Sequence, residues 1–135
     1  MRIISSLVLA LGMALISPRT EAQAADVQAV ISDQIAAFEA DDFARAFTHA
    51  SPAIQGIFGD HMTFGRMVRN GFPMVWRPAE VRYLGGQARG PVFMQDVLIK
   101  DEQGRLHILE YEMIEGEMGW KINGVRVKPT TPGTA

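Results

Sequence analysis

Residues 58–78, FGDHMTFGRMVRNGFPMVWRP, concentrate side chains that could bind a ligand. Arg66 and Arg69 are three residues apart, so on a helix they would lie on one side and could hold an anion by bidentate hydrogen bonds above the ring of Trp76. The same arginines could instead solvate the outer face of that helix, where the helix dipole favours a cation near the C-terminal end. The sequence leaves both interpretations open, with Arg77 as a third cation beside the tryptophan.

Acid–base catalysis is a second chemistry that the residue types allow. It needs a carboxylate beside a hydroxyl donor in an apolar cavity, and Tyr111 with Asp96 is the candidate pair. Such a pair would suit an enzyme of isomerase or hydratase type. Strand alternation gives Tyr111 no carboxylate on its own face of its own strand, so this enzyme is the alternative interpretation.

Nucleophilic and metal chemistry have little support in this sequence. The chain has no cysteine, and no serine stands in a Gly-x-Ser-x-Gly turn. The three histidines, His49, His61 and His107, include no i, i+4 pair and have no thiolates to complete a metal site. We therefore predict no catalytic residue, no metal and no cofactor.

Helices are predicted to position the residues before Pro78. Apolar residues recur at spacings of three and four between residues 26 and 40, which predicts an amphipathic helix with Asp26 as its N-cap. Three more caps are predicted at Asp42, Ser51 and Asp60.

The helix after Asp60 is expected to turn Phe64, Met67 and Val68 toward the core, which would direct Arg66 and Arg69 away from it. Asn70-Gly71 is expected to end this helix in the left-handed conformation. The segment that follows contains two prolines and is predicted to be an irregular apolar link, with Trp76 largely buried between helices and strands.

After Pro78 the apolar period becomes two, which predicts four strands: EVRYL, VFMQDVLIK, LHILEYEMI and WKINGVRV. The connections GGQARGP, DEQGR and EGEMG are typical of hairpins, so the strands should form an antiparallel meander, with a bulge or a close backbone approach at Gly124. Helices followed by such a sheet give an α+β fold.

The faces of the predicted strands separate apolar from charged side chains. Tyr111 shares one face of the third strand with His107, Leu109 and Met113, while Glu110 and Glu112 share the other. The two glutamates are expected to form a solvated stripe paired with Arg82 or Lys121.

The segments HASPAIQ and GFPMVWRP, followed by QDVLIKDEQGRLHILEYEM and GWKINGV, resemble the family catalogued as domain of unknown function 4864, over about residues 27 to 127. The resemblance implies the nuclear-transport-factor-2-like, cystatin-like cone fold, in which N-terminal helices pack on a curved four-stranded antiparallel sheet. It also implies export, and it implies no particular chemistry. Phe72 stands here where the family pattern has tyrosine, which removes a hydroxyl.

The first residues are typical of a secretory signal peptide. A basic Arg2 precedes about 14 mainly apolar residues, too few to span a bilayer, and Ala22-Gln23-Ala24 fits a cleavage site. We predict a signal peptide over residues 1–24, a single domain over residues 25–128 and a disordered tail over residues 129–135. The protein is then periplasmic or secreted, with no membrane association after cleavage.

Charge and cysteine content limit the partners further. Without the leader the chain has 11 basic and 14 acidic residues, and its arginines are scattered, so nucleic acid is not an expected partner. Without cysteine, a domain of this size must be held by its core alone.

These observations favour an exported, non-enzymatic domain that binds a small apolar or amphipathic molecule, or a partner protein, between helices and sheet. The predicted ligand-binding residues are Phe72, Trp76, Arg77, Tyr83 and Tyr111. A rim site centred on Trp76, Arg77 and Tyr111 is expected. Besides the enzyme, a structural homodimer joined through the outer face of the sheet is the other alternative.

Overall fold

Five helices precede four strands in residues 18–129, which are the residues that the computed structural model describes. The helices are α1 (Pro18–Glu39), α2 (Phe43–Thr48), α3 (Pro52–Phe58), α4 (His61–Gly71) and α5 (Pro73–Trp76). The strands are β1 (Glu80–Arg89), β2 (Val92–Lys100), β3 (Leu106–Gly116) and β4 (Gly119–Lys128). The predicted α+β class is therefore confirmed. Most of the predicted signal peptide and of the predicted tail, residues 1–17 and 130–135, lie outside the described residues.

Side chains cap three of the helices as their sequences predict. Asp42 accepts a hydrogen bond from the backbone N–H of Arg45 at the start of α2. Ser51 and Asp60 do the same for α3 and α4. Each bond satisfies an N–H that has no partner within its helix.

The predicted start of α1 is wrong. Asp26 lies inside this helix, which begins at Pro18 and continues through the predicted cleavage site. Alanines and glutamine in residues 22–25 are good helix formers, so the helix extends beyond its apolar repeat. No helix within residues 18–129 has the length and apolar character needed to cross a bilayer.

The end of α4 also differs from the prediction. Gly71 is not left-handed, and the C-cap is Phe72, with φ −134°. Pro73 then occupies the first turn of the one-turn helix α5, where its fixed φ is favourable and its missing N–H costs nothing. The predicted irregular link is therefore helical.

The sheet is an antiparallel meander in the order β1-β2-β3-β4. Its register shifts in β4 beside Asn123 and Gly124, which confirms the predicted bulge. A single parallel bridge joins Ala50 to Ile122, so the link between α2 and α3 pairs with the outer edge of β4.

The first hairpin is longer than predicted. β1 runs to Arg89, so most of the predicted connection GGQARGP is strand, and the turn is confined to Gly90 and Pro91. A second register shift lies between Tyr83 and Gly86. A Cβ atom built on Gly86 would stand 2.7 Å from the ring of Phe93 and 2.8 Å from Oε1 of Gln95, so this strand position requires glycine.

Gly86→Ala is expected to lower the free energy of unfolding by about 1–3 kcal/mol, because the buried side chains beneath it must shift. Urea denaturation followed by circular dichroism measures the effect. Gly85→Ala is the matched control, since a Cβ there meets nothing within 4 Å and should change stability by less than about 0.5 kcal/mol. Equal effects of the two variants would contradict the steric explanation.

The core lies between the helices and one face of the sheet. Its sheet side comes mainly from the inward residues of β2 and β3, as strand alternation predicts, with a contribution from β4: Phe93, Val97, Leu109, Met113, Trp120 and Ile122. The helix side comes mainly from α1 and from α4, which buries Phe64, Gly65 and Val68, while the predicted Met67 is half-buried. Arg66 and Arg69 are exposed, so their predicted direction away from the sheet is confirmed.

Candidate ligand-binding site

An apolar pocket with a volume of about 260 Å³ lies between the helices and the inner face of the sheet. The helices contribute seven side chains to its wall, and Phe72, between α4 and α5, adds an eighth: Gln34, Phe38, Ile54, Phe58, Met67, Val68, Val75 and Phe72. Strands β3 and β4 contribute four residues: Tyr111, Ile122, Gly124 and Val125. None of these twelve residues is charged.

Tyr111 is the most unusual residue of the wall. It lies on the inner face of β3, between Gln95 of β2 and Val125 of β4, and is fully buried. No group within residues 18–129 forms a hydrogen bond with its hydroxyl. Burial raises the pKa of the Tyr111 phenol, and the nearby Tyr83 adds a smaller effect in the same direction, so at neutral pH this group is a protonated donor. An unpaired buried donor costs about 1–3 kcal/mol.

Gln34 is the other polar side chain of the wall, and it comes from α1. It is buried, and its Nε2 donates a hydrogen bond of 3.1 Å to the carbonyl oxygen of Ala46, which joins α1 to α2. A side-chain amide has a second N–H and an oxygen acceptor, so Gln34 retains capacity for another hydrogen bond.

Helix α3 forms one side of the pocket through Ile54 and Phe58, although none of its own residues is buried. Polar contacts of its N-cap and of its middle residue hold it in place. Ser51 donates from Oγ to Oδ1 of Asn123 at 2.7 Å, and Gln55 donates to the carbonyl oxygens of Phe47 and Ala50. Hydrogen bonds from the start and the middle of α3 therefore attach this wall to its neighbours.

The five predicted site residues do not meet in one pocket. Phe72 and Tyr111 line the apolar pocket. Trp76 and Arg77 line a separate depression of about 150 Å³ beside the β2–β3 turn, and Tyr83 borders a third depression next to α1. A rim site that combines Trp76, Arg77 and Tyr111 is thus not assembled in this structure.

Trp76 and Arg77 both form hydrogen bonds with residues at the C-terminal end of α1. Trp76 donates from Nε1 to Asp41 at 2.8 Å, and Arg77 donates to both carboxylate oxygens of Asp41 and to the carbonyl oxygen of Phe38. The Arg77 guanidinium lies 4.0 Å from the centre of the Trp76 ring. Hydrogen bonds from Trp76 and Arg77 lower the pKa of Asp41. Trp76 was predicted to be largely buried; its side chain is partly buried and packs against the core.

The family model described as "Domain of unknown function (DUF4864)" matches residues 20–135. The chain belongs to this family. The DUF4864 chain is also similar in fold to the solution structure of RPA3114, a SEC-C motif containing protein from Rhodopseudomonas palustris, with a TM-score of 0.58 and 17% identity. The alignment covers 78% of this chain and 81% of that one. At this identity the likeness concerns the fold alone, and it does not confirm the predicted nuclear-transport-factor-2-like fold. No curated protein matches the DUF4864 chain.

The predicted acid–base pair of this DUF4864 domain is wrong. Asp96 lies on the outer face of the sheet and accepts a hydrogen bond of 2.8 Å from Nζ of Lys128, whereas Tyr111 lies on the inner face. The two side chains are therefore separated by the sheet itself. No carboxylate takes Asp96's place, because the pocket wall contains none.

The predicted partners of the two outer glutamates are wrong as well. Glu110 pairs with Arg126 at 3.0 Å, and Glu112 accepts a hydrogen bond from Asn123. The bulge in β4 brings Arg126 opposite Glu110. Of the predicted partners, Arg82 stands on β1, two strands away, and Lys121 donates to the carbonyl oxygen of Thr48.

The buried Asp101 and the half-buried His107 form a cluster that was not predicted from the sequence. Asp101 accepts hydrogen bonds from the backbone N–H groups of Gln103 and Arg105, and its second oxygen contacts Nε of Arg105 at 3.0 Å and Nε2 of His107 at 2.8 Å. An aspartate at the start of the turn DEQGR was the available signal, because Asp side chains commonly bond to the backbone two residues on. Residues 18–129 contain no group of three or more side chains placed to hold a metal.

Asp101→Asn is expected to destabilise the protein at neutral pH and to matter less in acid. The hydrogen bond with His107, followed by those from Arg105, lowers the pKa of Asp101 below its usual range. A lowered folded-state pKa gives stability that is present above the unfolded-state value of about 3.9 and is lost as pH falls through the folded-state value. Urea midpoints should therefore differ most at pH 6–7, and the difference should begin to shrink only below about pH 4 and continue to shrink with further acidification. Parallel pH curves for the two proteins would contradict this role of Asp101.

Proposed function

We propose that this DUF4864 domain is a non-enzymatic, exported domain that takes up a small, mainly apolar molecule in the pocket between its helices and its sheet. The observation that carries the proposal is the uncharged wall of that pocket, which has two polar side chains, Gln34 and Tyr111, among apolar ones. Ligand sites in proteins are typically apolar concavities with a few polar groups that orient the ligand.

An acid–base enzyme in the same pocket is less well supported. Proton transfer needs a carboxylate, a histidine or a comparable base within hydrogen-bond reach of the substrate. The wall contains neither a carboxylate nor a histidine, and burial keeps Tyr111 protonated. Its chemistry therefore suits binding better than catalysis.

A blocking substitution tests the proposal. Val125 lines the pocket, so Val125→Phe is expected to fill part of it and weaken the binding of p-fluorotoluene at least tenfold. Fluorine NMR line broadening of this probe, titrated with protein, measures the affinity. Val127→Phe is the matched control on the same strand, because Val127 is exposed and does not line the pocket.

Two results would contradict a binding role. If the wild-type protein shows no saturable binding of apolar probes of this size, the proposed binding role is wrong. Equal affinities of wild type and Val125→Phe would place the binding elsewhere on the molecule. Circular dichroism of each variant establishes that it is folded before the comparison is made.

Export is proposed from the sequence of residues 1–24, and the position of the core is compatible with it. Among the described residues, Val27 is the first that is fully buried, so cleavage before Asp26 would leave the core residues of α1 in place. N-terminal sequencing of the protein from the periplasmic fraction should show Ala25 or Asp26 as the first residue. A product that still contains Arg2 would contradict export by this signal.

The cone arrangement of nuclear-transport-factor-2-like proteins is also proposed for this sheet. The long helix α1 and a four-stranded meander with two register shifts support it, since bulges bend and twist a sheet. A homodimer through the outer sheet face stays a prediction, which sedimentation equilibrium would test.

A further inference from the structure

The geometry points to an uncharged ligand that presents a hydrogen-bond acceptor, such as a carbonyl oxygen, to the hydroxyl of Tyr111. This inference rests on the proposed function, because it specifies the chemistry of the molecule that the pocket takes up. It concerns one atom of the wall, the Tyr111 Oη, which has no hydrogen-bond partner within residues 18–129.

The polar groups around Tyr111 have their own partners. Gln95, its neighbour across the β2–β3 pair, donates from Nε2 to the carbonyl oxygens of Leu84 and Asp96, and its Oε1 accepts from Gln28. The hydroxyl of Tyr83 contacts Ser32 at 2.5 Å and the carbonyl oxygen of Gln28 at 3.2 Å. Gln95 and Tyr83 therefore do not serve as the acceptor for Tyr111, and Gln34, the other polar residue of the wall, does not bond to it either.

The charge of the wall determines the charge of the ligand. None of the residues that line the pocket is cationic, so a carboxylate or phosphate inside it would lose its hydration without gaining an ion pair. A buried ammonium group would likewise find no carboxylate. A neutral carbonyl, ester or amide avoids both penalties and still accepts the hydrogen bond.

The size of the pocket restricts the ligand further. A volume of about 260 Å³ lies just below the range of roughly 300–1,000 Å³ typical of sites for drug-sized molecules. A ligand with a single ring or a short chain and one carbonyl group therefore fits the volume of this pocket. Tyr111 is fully buried, so a ligand that bonds to its hydroxyl must displace side chains of the pocket wall.

Three probes of equal size distinguish the contributions of ligand shape, hydrogen bonding and charge to the binding affinity. Acetophenone offers a carbonyl oxygen, α-methylstyrene replaces that oxygen with a methylene group, and benzoate replaces the acetyl group with a carboxylate. Their dissociation constants for the wild-type protein, measured by NMR titration, should rank acetophenone tightest. We expect a preference of about three- to tenfold for acetophenone over α-methylstyrene, which is the range for one neutral hydrogen bond.

Tyr111→Phe should abolish that preference and leave the affinity for α-methylstyrene unchanged. Tyr83→Phe is the matched control, since its hydroxyl is already bonded to Ser32, and it should retain the preference. Tyr111→Phe should also unfold at the same temperature as wild type or a higher one, because it removes an unpaired buried hydroxyl.

The possible failures are distinguishable. Equal wild-type affinities for acetophenone and α-methylstyrene would overturn this inference and leave apolar binding intact. Tightest binding of benzoate would overturn the uncharged class, and a large loss of stability in Tyr111→Phe would show that the hydroxyl already has a partner, such as a buried water. No saturable binding of any probe would overturn the proposed function itself.

Discussion

Phe64→Ala is expected to lower the free energy of unfolding by about 3–5 kcal/mol, the usual cost of truncating a buried phenylalanine. Phe64 is 5% exposed and lies at the centre of an aromatic cluster, with ring centres 5.8 Å from Phe38, 5.2 Å from Phe47 and 5.7 Å from Phe58. Because these rings come from α1, α2, α3 and α4, one truncation weakens contacts among four helices.

Urea denaturation of wild type and Phe64→Ala gives the difference directly. Ile57→Ala is the control, because Ile57 is 72% exposed on α3 and its truncation should cost less than about 0.5 kcal/mol. A cost below about 1.5 kcal/mol for Phe64→Ala would mean that the cluster repacks around the cavity, and it would contradict the packing described for α4.

Trp76→Ala is expected to cost about 2–3 kcal/mol, less than a fully buried tryptophan, because its side chain is only partly buried. The variant removes the hydrogen bond to Asp41 and the ring on which Arg77 lies, so the attachment of α5 to the end of α1 should weaken, with the Arg77 hydrogen bonds remaining. Thermal and urea denaturation measure the loss of stability.

Two companion variants divide the effect of Trp76 into its parts. Trp76→Phe keeps an aromatic ring and loses the Nε1 donor. Its loss of stability should therefore be less than half of the loss in Trp76→Ala. Arg69→Ala removes a cation 5.0 Å from the ring and should cost about 1 kcal/mol or less. If the free energy of unfolding of Trp76→Ala lies within about 0.5 kcal/mol of the wild-type value, the contacts of Trp76 contribute nothing to stability. The residue would then be available for a ligand.

The sequence predicted those parts of the fold that depend on interactions between residues close together in the chain. Asp42, Ser51 and Asp60 cap helices because each can bond an N–H two or three residues ahead, and this requires no knowledge of distant contacts. Alternation along β3 likewise placed Tyr111 inward, because successive side chains of a strand point to opposite faces.

The errors arose where partners distant in sequence decide the conformation. The sequence of Gly85 and Gly86 predicts a turn, but Gly86 pairs with Gln95 of β2 and lies over Phe93, so the strand continues through both glycines. The ion pair of Glu110 depends on the bulge in β4, whose effect on register follows only from the folded sheet. The separation of Trp76 from Tyr111 depends on where α5 rests, which neither residue's neighbours in the sequence reveal.

The parallel bridge at Ile122 makes the two edge strands of the sheet differ in the backbone groups that they leave available for hydrogen bonding. On β4, the N–H and carbonyl groups of Ile122 are bonded to His49 and Ser51, so a strand from another chain cannot continue the hydrogen-bonded ladder past this point. Filament growth by strand addition requires two available borders, because each new copy must both donate and receive a neighbour. The bridge at Ile122 therefore disfavours propagation through the β4 border, and β1 is the border along which no such bridge occurs within residues 18–129.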